Sequence, residues 1–220
     1  MKYKNSLFIT FEGIEGSGKT TQIKLLNDAL KLRGYEALVT REPGGTKIGD
    51  EVRKIVLDSK HAGMAPLCEL FLIAAARAQH VKEVIVPSLE SGCLVLCDRF
   101  MDATVAYQGY ARGFSLNLIS QLNTKALDGV KPDLTFLLDC VPEKGLNRAL
   151  DRMAKLGTLS KEDRFEREPL EFHNKVREGY LKVAEENPER FIVVGPGRDI
   201  ESVHQEISQK VLAILQEKNG

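Results

Sequence analysis

Gly13-Ile14-Glu15-Gly16-Ser17-Gly18-Lys19-Thr20, GIEGSGKT, follows the apolar run 7–11 and precedes a helical pattern that opens near Lys19. These eight residues fit GxxxxGK[ST], and their place between a strand and a helix gives the pattern its meaning. Glycines at 13, 16 and 18 let successive backbone N–H groups turn toward one anion, and the helix N-terminus adds the positive end of its dipole. Such a loop is built for polyphosphate. Lys19 is spaced to reach the β- and γ-phosphates of ATP or GTP, and the Thr20 hydroxyl to ligate the accompanying Mg²⁺, with Thr21 beside it.

Outward from this loop the chain alternates apolar β-rich runs with helical patterns. Strands are expected at 7–12, 35–40, 93–97, 134–138 and 191–194, and helices at 19–33, 49–57, 66–89, 114–127, 143–153, 166–186 and 200–216, with Pro87 a candidate early stop in the third. Strands that are apolar throughout, separated by helices, imply a parallel sheet covered on both faces. The fold expected is therefore α/β, one domain of the P-loop NTPase type. Residues 155–163, KLGTLSKED, lack periodicity and read as a flap inside a lid at about 148–166.

Bulk properties narrow the function. With 220 residues, 43% apolar and 28% charged, the composition is that of an ordinary soluble domain. Lys plus Arg and Asp plus Glu both total 31, so no polyanionic partner such as nucleic acid or an acidic membrane is indicated. The four cysteines form no CxxC pair and read as reduced thiols in a cytoplasm. The N-terminal apolar run is short and Glu12 interrupts it, so neither secretion nor a membrane span is expected.

A second chemical feature sits at a strand end. Leu94-Val95-Leu96-Cys97-Asp98 is four apolar residues and an acid, the form of a carboxylate that holds Mg²⁺ on a P-loop fold. Residues 134–139, LTFLLD, have the same form, but Asp98 is followed by the cation Arg99 where strand carboxyl ends converge. Arg148, Arg152, Arg164 and Arg167 flank the flap, and a hinged lid could carry such cations onto a moving phosphoryl group. A signalling GTPase is disfavoured, because Asn174-Lys175 is followed by Val176-Arg177 and not by the guanine-reading acid. A bare nucleotide-binding module would not need Arg53, Arg77 and Arg99 beside an arginine-flanked lid, a set that fits a second anionic substrate.

Glu15 in the loop, residues 41–46 (REPGGT), 75–80 (AARAQH), 98–100 (DRF), 106–109 (AYQG), 163–166 (DRFE), and Phe172-His173 with 176–180 (VREGY) together resemble bacterial thymidylate kinase over nearly the whole chain. The resemblance implies a nucleoside-monophosphate kinase with a five-stranded parallel sheet, ATP·Mg²⁺ as donor, dTMP as acceptor and a homodimer. Gly13 to Thr21 and Arg148 then serve ATP, and Thr20 and Asp98 the metal. Glu15 lies near the deoxyribose 3′-hydroxyl, Arg53 and Arg99 grip the 5′-phosphate, and Tyr107 crowds the 2′ position. Arg77 and Gln108 read the thymine edge, with Thr104 nearby. Gly16 stands where one subfamily has an arginine, so the lid should supply the catalytic one, Arg152 first and Arg164 second.

One position departs from the family. Ile73 stands where an aromatic ring usually stacks on thymine, and Phe71 does not replace it, since two helical residues turn it about 200° away. A kinase accepting dUMP or several pyrimidine monophosphates is therefore the alternative reading.

Overall fold

Phe8–Glu12 forms β1, and all five residues are buried. Side chains alternate faces along a strand, so Ile9 and Phe11 enter one apolar cluster while Phe8 enters another across the sheet. A strand covered on both sides needs apolar or fully partnered side chains at every position, which is why the sequence there reads as an unbroken apolar run. The same alternation holds in β3 (Leu94–Asp98) and β4 (Leu134–Leu138). A computed structural model of the chain, describing residues 6–157 and 162–219, joins these to β2 (Ala37–Arg41) and β5 (Phe191–Val194). The result is one all-parallel sheet of order β2-β3-β1-β4-β5. The expected α/β class and five-stranded parallel sheet are both present.

From the central β1 the chain builds outward to β2 and β3 on one side and then to β4 and β5 on the other. Where the order reverses, the connections diverge and a crevice opens at the carboxyl ends of the strands. One face is covered by α1 (Lys19–Lys31) and α9 (Ile200–Asn219) through Ile23, Leu26, Ile207 and Val211. The other is covered by α3 (Pro66–His80) and α8 (Leu170–Glu186) through Ile73, Val176 and Val183. Helix α2 (Lys47–Leu57) packs along α3.

Helical boundaries depart furthest from expectation at three places. The helix expected over 66–89 passes Pro87, but Val81–Ile85 widens into a π-helical turn before α4 (Val86–Glu90). That change of hydrogen-bond register places Pro87 in the first turn of a new α-helical run, where its missing N–H is tolerated. No helix is expected across 101–111, yet α5 (Met101–Thr104) runs directly into a π-helical segment, Val105–Ala111. Ala106, Tyr107, Gln108 and Gly109 are all buried in succession, so no amphipathic 3.6-residue pattern marks the segment. The helix expected from 166 begins at Leu170, because Pro169 disfavours helical geometry in the residue before it. Residues 163–168 instead make turns, with Arg167 N donating to Asp163 O at 3.1 Å and Glu168 N to Phe165 O at 3.0 Å. Helices α6 (Leu116–Leu127) and α7 (Pro142–Leu156) complete the set. Of the flap, residues 158–161 lie outside the described residues.

Under the crevice the sheet face turns polar. Thr10 and Thr135 hydroxyls meet at 2.8 Å, and Arg190 donates to both Asp102 oxygens at 2.7 and 2.8 Å and to Thr135 Oγ1 at 3.0 Å. Glu12, fully buried, accepts from Phe100 N at 2.7 Å and from the Tyr180 hydroxyl at 2.8 Å. Burial, then the Asp102 carboxylate, pushes the Glu12 carboxyl up to about 8.

Candidate active site

The loop after β1 is shaped by what surrounds it. Gly13 has φ +132°, and a Cβ there would lie 2.5 Å from the Leu138 carbonyl oxygen. Gly16 has φ +66°, and a Cβ there would overlap the Gly145 carbonyl of α7. Glycine at 16 is thus dictated by packing as well as by φ, and an arginine at that position could not be carried without moving α7. Ile14 is buried in the apolar core and contributes only backbone to the loop.

Lys19 at the start of α1 is 7% exposed, and its Nζ donates to Gly13 O at 3.0 Å, Ile14 O at 2.8 Å and, longer, to Ser17 Oγ at 3.4 Å. Burial, then the Arg99 charge, brings its ammonium down to about 8, with Asp98, Glu15 and Glu12 opposing. Thr20 Oγ1 donates to Asp98 Oδ2 at 2.8 Å, so the two expected metal ligands are adjacent. The competing acid Asp139 is held by both sides of the Arg177 guanidinium at 2.6 and 2.8 Å, which takes it out of the site.

Across the crevice Arg99 is the hub. It has φ +67°, its N–H donates to Phe11 O at 3.0 Å, and its guanidinium donates to Gly13 O at 2.9 Å, Tyr180 Oη at 3.0 Å and Glu15 Oε1 at 2.8 Å. The Tyr107 hydroxyl donates to the same Glu15 oxygen at 2.5 Å, and the Arg99 guanidinium lies 4.9 Å from the Tyr107 ring centre. His173 Nδ1 stands 3.5 Å from Glu15 Oε2. Burial works to raise the Glu15 carboxyl, but Arg99, His173, Lys19 and Tyr107 together outweigh it and hold it well below the usual range.

These groups line one cavity of about 880 Å³ that reaches from Gly18, Lys19, Thr20 and Thr21 to Arg53, Ile73, Arg77, Thr104, Tyr107 and Gln108. Arg53 donates to Pro43 O at 3.2 Å and has Glu162 at 3.6 Å. Ile73 is 8% exposed at the cavity wall whereas Phe71 is 50% exposed, as their positions on α3 require. Arg77 is almost fully spent on the protein, donating to Glu42 at 2.7 Å, Thr104 and Asn123 at 2.8 Å each, and Phe100 O at 2.9 Å. Gln108 Nε2 donates to Glu69 Oε1 at 2.8 Å.

The lid arginines separate. Arg152 is exposed on α7 and borders the cavity. Arg148 is exposed on the same helix and is not among the cavity-lining residues. Arg164 is 5% exposed, with Nε donating to Val56 O at 2.5 Å and Nη2 to Glu69 Oε2 at 2.6 Å. The second-choice catalytic role for Arg164 does not fit that anchoring. Sequence reasoning did not single out Glu12, Glu69 or Glu166. Glu12 had a legible signal, an acid ending an apolar strand, the form used to find Asp98, and Glu166 stands in the quoted run 163–166.

A family model described as thymidylate kinase matches residues 11–207. Curated relatives named thymidylate kinase include one from Geotalea daltonii, 54% identical over 208 residues, covering 94% of this chain and 97% of its own. Another, from Citrifermentans bemidjiense, is 58% identical over 193 residues, covering 88% and 85%. A crystal structure of thymidylate kinase from Ehrlichia chaffeensis superposes with TM-score 0.74 at 40% identity, covering 94% of this chain and 98% of that one.

Glu166 supplies a pH test. It borders the cavity, and burial, then the Glu15 carboxylate, pushes its carboxyl up to about 7 from 4.5. The folded chain therefore holds a proton there that the unfolded chain has released, so this contribution is full below about 4.5 and lost as pH rises through 7. Glu166→Gln stays neutral, and its thermal midpoint should gain on the wild type between pH 5 and 8. Parallel pH profiles would refute the raised value.

Proposed function

This chain belongs to the thymidylate kinase family, and from that premise we propose that it transfers the γ-phosphoryl group of ATP to dTMP. The products are dTDP and ADP. It does so as a single-domain cytoplasmic homodimer with a lid at about residues 148–166. The observation that carries this reading is that a phosphate loop and an arginine-lined acceptor pocket share one cavity, joined at the Glu15–Arg99 pair.

In this reading a 5′-phosphate oxygen of dTMP attacks the γ-phosphorus while the bond to the β–γ bridging oxygen breaks, and ADP leaves with that electron pair. The nucleophile is already an anion, so catalysis is positioning and charge stabilisation. The backbone of residues 13–21 and Lys19 hold the donor phosphates, and Arg148 lies toward the adenine. Arg53 and Arg99 grip the acceptor phosphate, a task suited to planar, permanently charged forks. Glu15, kept ionised, accepts from the 3′-hydroxyl, and Tyr107 occupies the space a 2′-hydroxyl would need. Ile73, Arg77, Thr104 and Gln108 form the base pocket. Arg152 meets the transition-state charge, since Gly16 has no room for a side chain.

Thr20 and Asp98 would hold Mg²⁺. Their hard oxygens, 2.8 Å apart, suit it, and no cluster of three or more His, Cys, Asp or Glu ligands occurs among the described residues. Mg²⁺ commonly uses one or two protein oxygens plus substrate phosphates and water. When bound it neutralises charge on the β- and γ-oxygens. Among the described residues, no helix is long and apolar enough to cross a membrane.

The dimer reading is supported by one apolar face. Ile48 and Ile55 on α2 and Leu67 and Phe71 on α3 are 42–57% exposed on helices packed side by side. Exposed apolar residues gathered on two paired helices mark an association site.

Coupled ADP release with dTMP, dUMP, CMP and AMP should show Mg²⁺-dependent preference for dTMP, abolished in Lys19→Ala and Asp98→Ala while both stay folded. Equal use of dUMP would move the assignment to a broader pyrimidine kinase. Arg152→Ala should lower kcat by about two or more orders of magnitude with little change in dTMP KM; an unchanged kcat removes Arg152 from catalysis. Phe71→Lys should sediment as a monomer where the wild type sediments as a dimer, and an unaltered sedimentation coefficient would place the interface elsewhere.

A further inference from the structure

Glu69, in the first turn of α3, is 1% exposed yet accepts four hydrogen bonds. Gln108 Nε2 donates at 2.8 Å, Arg112 Nε and Nη2 at 3.3 and 3.1 Å, and Arg164 Nη2 at 2.6 Å. Burial raises its carboxyl, but these donors outweigh burial and hold it below the ordinary value, so it is an ion near neutral pH.

A carboxylate only accepts, so the end of the Gln108 amide that meets it must be the NH₂ end. Gln108 is itself 1% exposed and borders the cavity, so the end left for the cavity is the carbonyl Oε1. Turning the amide over would set Oε1 against a Glu69 oxygen, acceptor on acceptor, in a buried site where such a pair is costly. The two arginines fix the carboxylate in place, and Arg112 is further tied to Glu168 at 2.6 Å.

We propose that Glu69 is a positioning residue for base selection: by holding Gln108 Nε2 it makes this part of the cavity wall a hydrogen-bond acceptor. The wall therefore selects a pyrimidine that carries N–H at ring position 3 over one that carries a lone pair there. The inference rests on the reading of this cavity as the dTMP site. A purely structural Glu69, present only to neutralise Arg112 and Arg164, would leave base selection untouched.

The test is Glu69→Gln assayed with dTMP and with the deoxynucleoside monophosphate of 2-pyrimidinone, which has a lone pair at position 3 and only hydrogen at position 4. Arg112 and Arg164 still donate at the far side of residue 69, so the amide oxygen stays with them, its NH₂ faces Gln108, and Gln108 turns over; dTMP KM rises about tenfold or more. The 2-pyrimidinone nucleotide no longer has to force acceptor on acceptor, so its kcat/KM rises about tenfold or more and the dTMP preference falls accordingly. Arg112→Met removes a partner of Glu69 but leaves the carboxylate on Gln108, and should keep the wild-type preference. An unchanged preference in Glu69→Gln, or an equal fall in Arg112→Met, overturns the proposal. Should Glu69→Gln not fold, side-chain ¹⁵N–¹H spectra of the wild type decide it. The Gln108 amide protons should stay near their free positions when dTMP binds, and a large displacement would show the NH₂ end on the base. Wild-type protein that does not phosphorylate dTMP would instead remove the substrate reading, a result separable from either outcome.

Discussion

The Glu15–Arg99 ion pair, 2.8 Å long and mostly buried, ties the phosphate loop after β1 to the end of β3. It exists because Arg99 adopts φ +67°, a left-handed conformation that costs a residue with a Cβ about 1 to 2 kcal/mol. That turn lets the Arg99 N–H complete the β1 ladder at Phe11 while the side chain doubles back to Gly13, Glu15 and Tyr180. Strain at one residue thereby fixes how the phosphate loop and the Tyr107 side of the cavity face each other. Phosphoryl transfer to thymidylate needs that alignment, since in-line displacement depends on position far more than on covalent help.

Around this pair the interior holds an unusual number of carboxylates: Glu12, Glu15, Glu42, Glu69 and Asp102 are all buried or nearly so. Arginine answers four of them in direct pairs, Arg99 with Glu15, Arg77 with Glu42, Arg112 and Arg164 with Glu69, and Arg190 with Asp102. Glu12 is answered by the Phe100 N–H and the Tyr180 hydroxyl, and its raised proton affinity reflects that weaker compensation. Buried pairs add little net stability over apolar packing. Their value at the cavity is preorganisation: Glu15 with Arg99 and Glu42 with Arg77 line it, and Glu69 holds Gln108 at its wall.

The same economy explains why arginines of similar sequence context end in different places. Arg152 and Arg164 both flank the flap, but Glu69 and the Val56 carbonyl hold Arg164 inside while Arg152 stays exposed at the cavity rim. Likewise Asp98 and Asp139 both end apolar strands, and the position of Arg177 decides that only Asp98 meets Thr20.

Periodicity and spacing by themselves determined the strands, the parallel sheet, the phosphate loop with Lys19 and Thr20, and that Ile73 and Phe71 lie on different faces of one helix; that Ile73 faces the substrate came from the family resemblance. The former are local properties: a two-residue or 3.6-residue repeat and a glycine pattern are written in neighbouring positions. The π-helical course of Val105–Ala111 was not legible, because four consecutive residues, Ala106 to Gly109, are buried and leave no 3.6-residue alternation. Nor was the role of Glu69, whose partners lie 39, 43 and 95 residues away. The sequence already favoured Asp98 and Arg152, but the partners that set Asp139 and Arg164 aside, and that orient the Gln108 amide, are brought together by tertiary packing, so only the folded chain supplies the reason.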